Sequence, residues 1–262
     1  MTKKVVEEIL SYLETGIPNV NRISAERVCL GLGFTGVKLS TGHVGLCHSL
    51  QSEASIQCCQ VVQRAGTLAG SPAVDLAKLV RSWDLSERVI GTATINALSQ
   101  IVLERQSQKY VIAEGNLIDQ IDIRRTDTVA LVGNIRPIVP TIKKEAGRVY
   151  IFERGGIADE GVLPDIACED LLPQANVVII TGTAIANGTI DRLLELSKGA
   201  RSIALIGPSA SVVPFPLFER GVPAIAGTIV VDSERAMQIV AEGGGTPQLK
   251  GAVRFVVIKP KL

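Results

Sequence analysis

The chain has 262 residues, 46% of them hydrophobic and 20% charged, which suits two ordinary domains with well-buried cores and excludes a disordered polymer. A formal charge of +1 supplies no field for steering onto nucleic acid or acidic lipid, and 3% aromatic residues leave little for stacking bases. No apolar run approaches the roughly 20 residues of a membrane span, and MTKKVVEEILSYL mixes charges into its apolar residues instead of forming a signal-peptide core. The expectation is a soluble cytoplasmic protein with neither a nucleic-acid nor a membrane partner.

In chain order, residues 3–13 form a first helix with Val5, Val6, Ile9, Leu10 and Leu13 as its apolar stripe, stopped by Gly16 and Pro18. Ala25–Leu30, Phe34–Leu39 and 43–46 then read as an antiparallel meander with Gly-containing turns. Gly31, Gly33 and Gly36 match the dinucleotide fingerprint by pattern alone. The continuation Val37-Lys38-Leu39-Ser40-Thr41-Gly42 opens no helix, so a hairpin turn is the reading preferred over a nucleotide loop.

The five cysteines are Cys29, Cys47, Cys58, Cys59 and Cys168, an odd number with one adjacent pair, which argues for reduced thiols. Cys47, His48, Cys58 and Cys59 lie close together, with His43 just before them, and thiolate and imidazole are ligands that zinc and softer metals prefer. The spacing matches no zinc finger or ribbon, and ordinary half-buried residues are the preferred reading. Strand alternation would point His48 away from the face shared by His43 and Cys47.

Ser71-Pro72 opens a helical segment, and residues 86–103 form a longer helix with Val89, Ile90, Ala93, Ile95, Ala97, Leu98, Ile101 and Val102 on its apolar side. Asn96 sits mid-helix between small residues. It is either solvent-facing or a tertiary cap, or it is a polar group offered to a domain interface. Residues 106–122 read as a connector. Beyond it strands and helices alternate to the end, with strands expected at Thr128–Val132, 148–152, 176–180, Ser202–Ile206, 223–231 and 252–258 and a helix at Ser233–Ala241. That alternation predicts a parallel, Rossmann-like three-layer α/β/α sheet behind a small α+β unit, dividing the chain at 1–115 and 116–262.

The strand ends carry the candidate site. Gly133 lets backbone approach a ligand, and Glu153, ending the second strand, stands where dinucleotide folds place a ribose-binding carboxylate, with a solvated carboxylate or an ion pair with Arg154 as the competing role. Thr181, Thr183, Asn187 and Thr189 offer neutral donors and acceptors after the third strand, with capping and turn formation as the competing role. Gly207-Pro208-Ser209 adds a constrained turn with a hydroxyl. No nucleophile with an adjacent base is readable here, and both histidines lie in the amino-terminal unit. Catalysis, if present, would therefore borrow groups across the interdomain cleft.

VIITGTAIANGTIDRLLEL, IALIGPSASVVP and LFERGVPAIAGTIV, in this order, resemble the heavy-metal-chelation family of uncharacterised bacterial and archaeal proteins. GTATINAL (91–98) resembles that family's companion amino-terminal domain. The resemblance implies an enolase-amino-terminal-like domain, a Rossmann-like domain related in fold to methyltransferases, and a ligand site between them. By position it points to Asn96, Gly133, Thr181, Gly182, Thr183, Asn187, Thr189, Gly207, Pro208 and Ser209. It implies condensation or hydrolysis of a pterin-, flavin- or siderophore-like molecule, or another part in heavy-metal handling. The alternatives are a non-catalytic protein holding a metal ion or complex and, by fold analogy, a methyltransferase using S-adenosylmethionine. A heavy-metal ion or a nucleotide-like ligand is the expected small partner. A homodimer is compatible with the sequence without being fixed by it.

Overall fold

The structure is a computed structural model that describes residues 3–51, 53, 62–154 and 160–261. Helix α1 (Val5–Gly16) buries the expected stripe of Val5, Val6, Ile9, Leu10 and Leu13 and runs on to Gly16. Strands β1 (Ala25–Leu30), β2 (Phe34–Leu39) and β3 (Val44–His48) form the antiparallel meander in that order. Gly31 N–H bonds to Phe34 O at 3.0 Å across the first turn and Gly36 lies inside β2, so the glycine pattern belongs to a hairpin.

Helix α2 (Ala73–Ala77) leads through a 3-10 turn to α3 (Leu85–Arg105). The Asp84 carboxylate caps α3 by accepting from Glu87 N–H at 3.0 Å. This helix corrects the expected amphipathic pattern, because every residue from Val89 to Leu103 is buried, Thr92, Thr94, Asn96, Ser99 and Gln100 included. A helix buried all round lies at the centre of a molecule, and its polar groups need internal partners. Asn96 Nδ2 donates to Leu46 O at 2.7 Å, Gln100 Nε2 donates to Val44 O, and His48 N–H donates to Ser209 Oγ at 2.9 Å. Four helical residues rise about 6 Å and two strand residues about 6.6 Å, so Asn96 and Gln100 match alternate carbonyls of β3. Asn96 and Gln100 thereby cover the β3 edge of the small sheet. Close approach requires a residue without Cβ on the strand: one at Gly45 would lie 2.0 Å from Ala93 O and 2.2 Å from Ala97 N.

The expected connector instead contains β4 (Tyr110–Glu114), which joins the large sheet. There follow β5 (Thr128–Val132), α4 (Val139–Glu145), β6 (Arg148–Glu153), β7 (Val162–Pro164), α5 (Cys168–Leu171), β8 (Val177–Thr181), α6 (Thr183–Ala186), α7 (Ile190–Leu196), β9 (Ser202–Ile206), α8 (Phe215–Phe218), β10 (Ala224–Val230), α9 (Ser233–Ala241) and β11 (Val253–Pro260). The unforeseen β7, α5, α6 and α8 have three or four residues each, too few for a period to show.

The large sheet runs β4-β11-β10-β9-β8-β5-β6-β7, and its pairings from β10 to β7 are parallel. From β7 to β10 this is the strand order of a doubly wound sheet, with the switch point between β5 and β8. Alternate residues serve opposite faces: Val129, Leu131, Val177 and Ile179 enter one core, and Ala130, Val132, Val178 and Ile180 the other. The expectation of a sheet parallel to its end is corrected, since β11 is antiparallel to both β10 and β4. Parallel return needs a crossover packed on the same sheet, and α9 packs elsewhere. Met237 and Val240 lie against Phe34, Val44 and Leu46 of the small sheet.

Candidate functional site

The carboxyl ends of β5, β6, β8 and β9 meet the small sheet at two adjoining cavities. The smaller, about 390 Å³, is lined by Gly133, Glu153, Thr181, Thr183, Asn187 and Thr189 among others. The larger, about 560 Å³, shares Gly133, Glu153, Thr181 and Thr183 and adds Gly207, Pro208 and Ser209. The strand-end residues singled out in the sequence thus gather at one cleft. Two positions do not line it. Asn96 is buried behind the rim, its Nδ2 also 3.3 Å from both Pro208 O and Ser209 O. Gly182 faces the neighbouring turn, where a Cβ would lie 2.2 Å from Ala210 N.

Local chemistry builds the rim. Gly133 leaves β5 with φ +93°, and its N–H bonds to Phe152 O at 2.8 Å. Both carboxylate oxygens of Glu153 accept backbone amides: Oε2 from Asn134 N–H at 2.7 Å and Oε1 from Arg154 N–H at 2.9 Å. Glu153 therefore braces the loop after β5 while lining both cavities. Thr181 Oγ1 and Thr183 Oγ1 share a hydrogen bond at 3.0 Å. Asn187 Oδ1 accepts from Thr189 Oγ1 at 2.8 Å and Thr189 N–H at 3.3 Å, which shapes the turn into α7.

Sequence reasoning weighed His48 only as a metal ligand and did not single out Glu53, Arg154 and Asp165 as site residues. His48 ends β3 and lines the larger cavity; Glu53 and Arg154 line both cavities, and Asp165 the smaller. Strand alternation sends Cys47 inward and His48 outward, the one signal available in the sequence. His48 Nδ1 accepts from Leu50 N–H at 3.3 Å, which assigns the ring proton of the neutral form to Nε2, and the ring meets Phe34 edge-on at 5.7 Å between centroids. Its surface stays open to the cleft, yet surrounding protein strips enough water to hold the imidazole below its ordinary pKa, with Glu153 opposing. Glu53 Oε2 lies 3.5 Å from both Arg154 Nη1 and Asn187 Nδ2. Burial raises its carboxyl above the ordinary value, against the pull of Arg154. Arg154 Nε is itself bound to Asp165 at 2.7 Å.

Two thiols, Cys47 and Cys168, are poor ligands as placed. Burial pushes Cys47 up to about 12 and, aided by Asp165 and Glu169, Cys168 likewise. Cys58 and Cys59 lie outside the described residues. His43 is engaged away from the cleft by Thr41 Oγ1 at 2.9 Å and Glu104 Oε2 at 3.1 Å. Among the described residues no group of three or more His, Cys, Asp or Glu is arranged to hold a metal ion, and no helix is long and apolar enough to cross a membrane.

Comparison with known proteins adds the relationship. A family model described as "Putative heavy-metal chelation" (DUF364) matches residues 116–259, and a second of the same description (DUF4213) matches 13–99. An uncharacterised protein of Methanocaldococcus jannaschii is 33% identical over 180 residues, 68% of each chain. A crystal structure of a DUF364 protein of unknown function from Pyrococcus horikoshii superposes with a TM-score of 0.83 at 22% identity, covering 98% of this chain and 100% of that one. One from Desulfitobacterium hafniense gives 0.80 at 27%, covering 99% and 100%. The motifs, the fold and these matches agree, and the chain belongs to the DUF364 heavy-metal-chelation family.

Proposed function

We propose that the cleft binds a small polar organic molecule, pterin-, flavin- or siderophore-like, and that the protein acts on it by condensation or hydrolysis in heavy-metal chelation. In this reading residues 1–115 and 116–262 are the two walls of the site. The observation that carries it is His48, delivered by the small sheet to the rim that bears Thr181, Thr183 and Ser209. A neutral imidazole in a partly desolvated cleft is suited to take and return a proton near neutral pH. Glu53, displaced in the opposite direction, supplies a carboxyl that stays protonated more readily, and two such groups divide acid and base roles. The threonine hydroxyls would orient a ligand without attracting a particular charge. Metal handling then rests with the organic ligand.

Thermal-shift measurement against pterins, flavins, nucleotides, S-adenosylmethionine and metal ions tests the proposal. An organic ligand at a hundred times its Kd stabilises the native state by about 2.7 kcal/mol. His48→Gln should retain that shift and lose turnover of the same compound. A shift from metal ions alone, abolished by alanine at Cys58 and Cys59, would replace this reading with direct, non-catalytic chelation. A shift from S-adenosylmethionine alone would favour the methyltransferase reading.

A further inference from the structure

We propose that the outer edge of β4 is a pairing surface for a second copy of this chain, the two β4 strands running antiparallel about a twofold axis at Ile112. The argument starts from where the backbone hydrogen bonds go. Lys109 O accepts from Lys261 N–H at 3.1 Å and Gly115 N–H donates to Phe255 O at 3.4 Å, while the register sets Val111 opposite Lys259 and Ala113 opposite Val257. Antiparallel alternation then turns the N–H and C=O groups of Ile112 and Glu114 and the C=O of Tyr110 outward, the Tyr110 N–H being taken up by Ser107 O. Among the described residues no strand pairs with that side.

The other sheet edges are protected, which makes β4 the exception. Asn96, Gln100 and Ser209 occupy the outward groups of β3. Strand β1 has an irregular register between Ala25 and Arg27 and places Glu26 and Arg27 there. Strand β7 has three residues and ends in Pro164. Such devices keep strand edges from pairing, and β4 has neither a bulge nor a proline.

Self-complementarity identifies the occupant. A twofold axis at Ile112 sets Tyr110 against Glu114 of the copy and Ile112 against itself, so each Ile112 N–H meets the copy's Ile112 C=O and each Glu114 N–H the copy's Tyr110 C=O. It brings the Lys109 end of each strand to the Glu114 end of the other. Side chains beside the edge are apolar on both faces. Val111 is 48% and Phe255 37% exposed on one face, and on the other Ile112 borders a groove of about 290 Å³ with Leu103, Ile229 and Arg254. A copy in this register covers Val111 with its Ala113 and sets its Ile112 beside that groove.

Light scattering on the purified full chain tests the surface. The expected mass is twice 27.8 kDa in the micromolar range, falling to one chain in Val111→Glu with an unchanged circular-dichroism spectrum. Ile112→Cys should cross-link through the introduced thiols under mild oxidation, shown by the peptide joining two copies of that position. A monomeric wild type, a dimer that survives Val111→Glu, or a dimer of Ile112→Cys without that cross-link would each overturn the proposal.

Discussion

Asn96 is fully buried and donates to carbonyls on two separate segments, Leu46 on β3 and Pro208 and Ser209 after β9. Its work is to hold the His48 strand against the rim, a role that spacing alone made hard to separate from ligand contact. Asn96→Ala leaves those carbonyls without their donor, and a buried polar group so stranded costs about 1–3 kcal/mol. Urea denaturation should show a loss of about 2–4 kcal/mol. Glu53 makes the opposite prediction. Its folded-state pKa is raised, so its contribution to stability is full below the ordinary carboxylate value and is lost as pH rises through the folded value. Glu53→Gln should therefore raise the melting temperature at pH 7 and leave it nearly unchanged at pH 4. His48 is depressed, so its contribution is intact above its ordinary value of about 6.5 and is lost as pH falls toward the folded value. In a stability profile between pH 7 and 5, His48→Gln should flatten the acid-side decline.

At the scale of elements, α3 and β3 decide the architecture together. The small residues of GTATINAL are contact surfaces: a Cβ at Gly91 would lie 2.2 Å from Val80 N, and Ala93 and Ala97 lie under Gly45. Backbone on both sides leaves nothing that yields to an added methyl group. Overpacking of a close-packed interior costs about 1–3 kcal/mol, and Gly45→Ala should reach about 3 kcal/mol or more by chemical denaturation. Gly42→Ala in the turn before β3, where a Cβ meets nothing within 4 Å but φ is +86°, should cost less, about 1 kcal/mol. The α3 residues Asn96 and Gln100 belong to the same logic, since a helix can seal a strand edge only with donors one turn apart. Here the sequence was legible in part. The helix and the strand were both readable, but their contact was not, because nothing local encodes which face of a uniformly buried helix meets which strand.

For the whole molecule, one apolar core runs from Val5 in α1 through α3 to Val178, Leu205 and Ile225 of the large sheet. Units that share a core lose it together, and calorimetry should record one cooperative transition in spite of the 262-residue length. Far-ultraviolet circular dichroism should coincide with it. Trp83 emission is the wrong probe, because that side chain is fully exposed in the native state and changes little on unfolding. A fragment beginning at residue 116 loses α1 and α3 from the core they share with Val178, Leu205 and Ile225, and should aggregate on expression.

The sequence by itself determined the elements long enough to carry a period, the β-branched strands buried on both faces, the hairpin at Gly31–Gly36, and the strand-end loops that meet at the cleft. These follow from local propensity and from the fixed place of loops at the carboxyl edge of a parallel sheet. Tertiary structure alone decided the antiparallel return of β11, the capture of β4 by the large sheet, and the burial of α3 on every side. It also decided that His48 and Glu53 face the rim, and that Glu153 spends its oxygens on backbone amides. Each of these depends on a partner distant in the chain, and a side chain's environment is set by what packs against it.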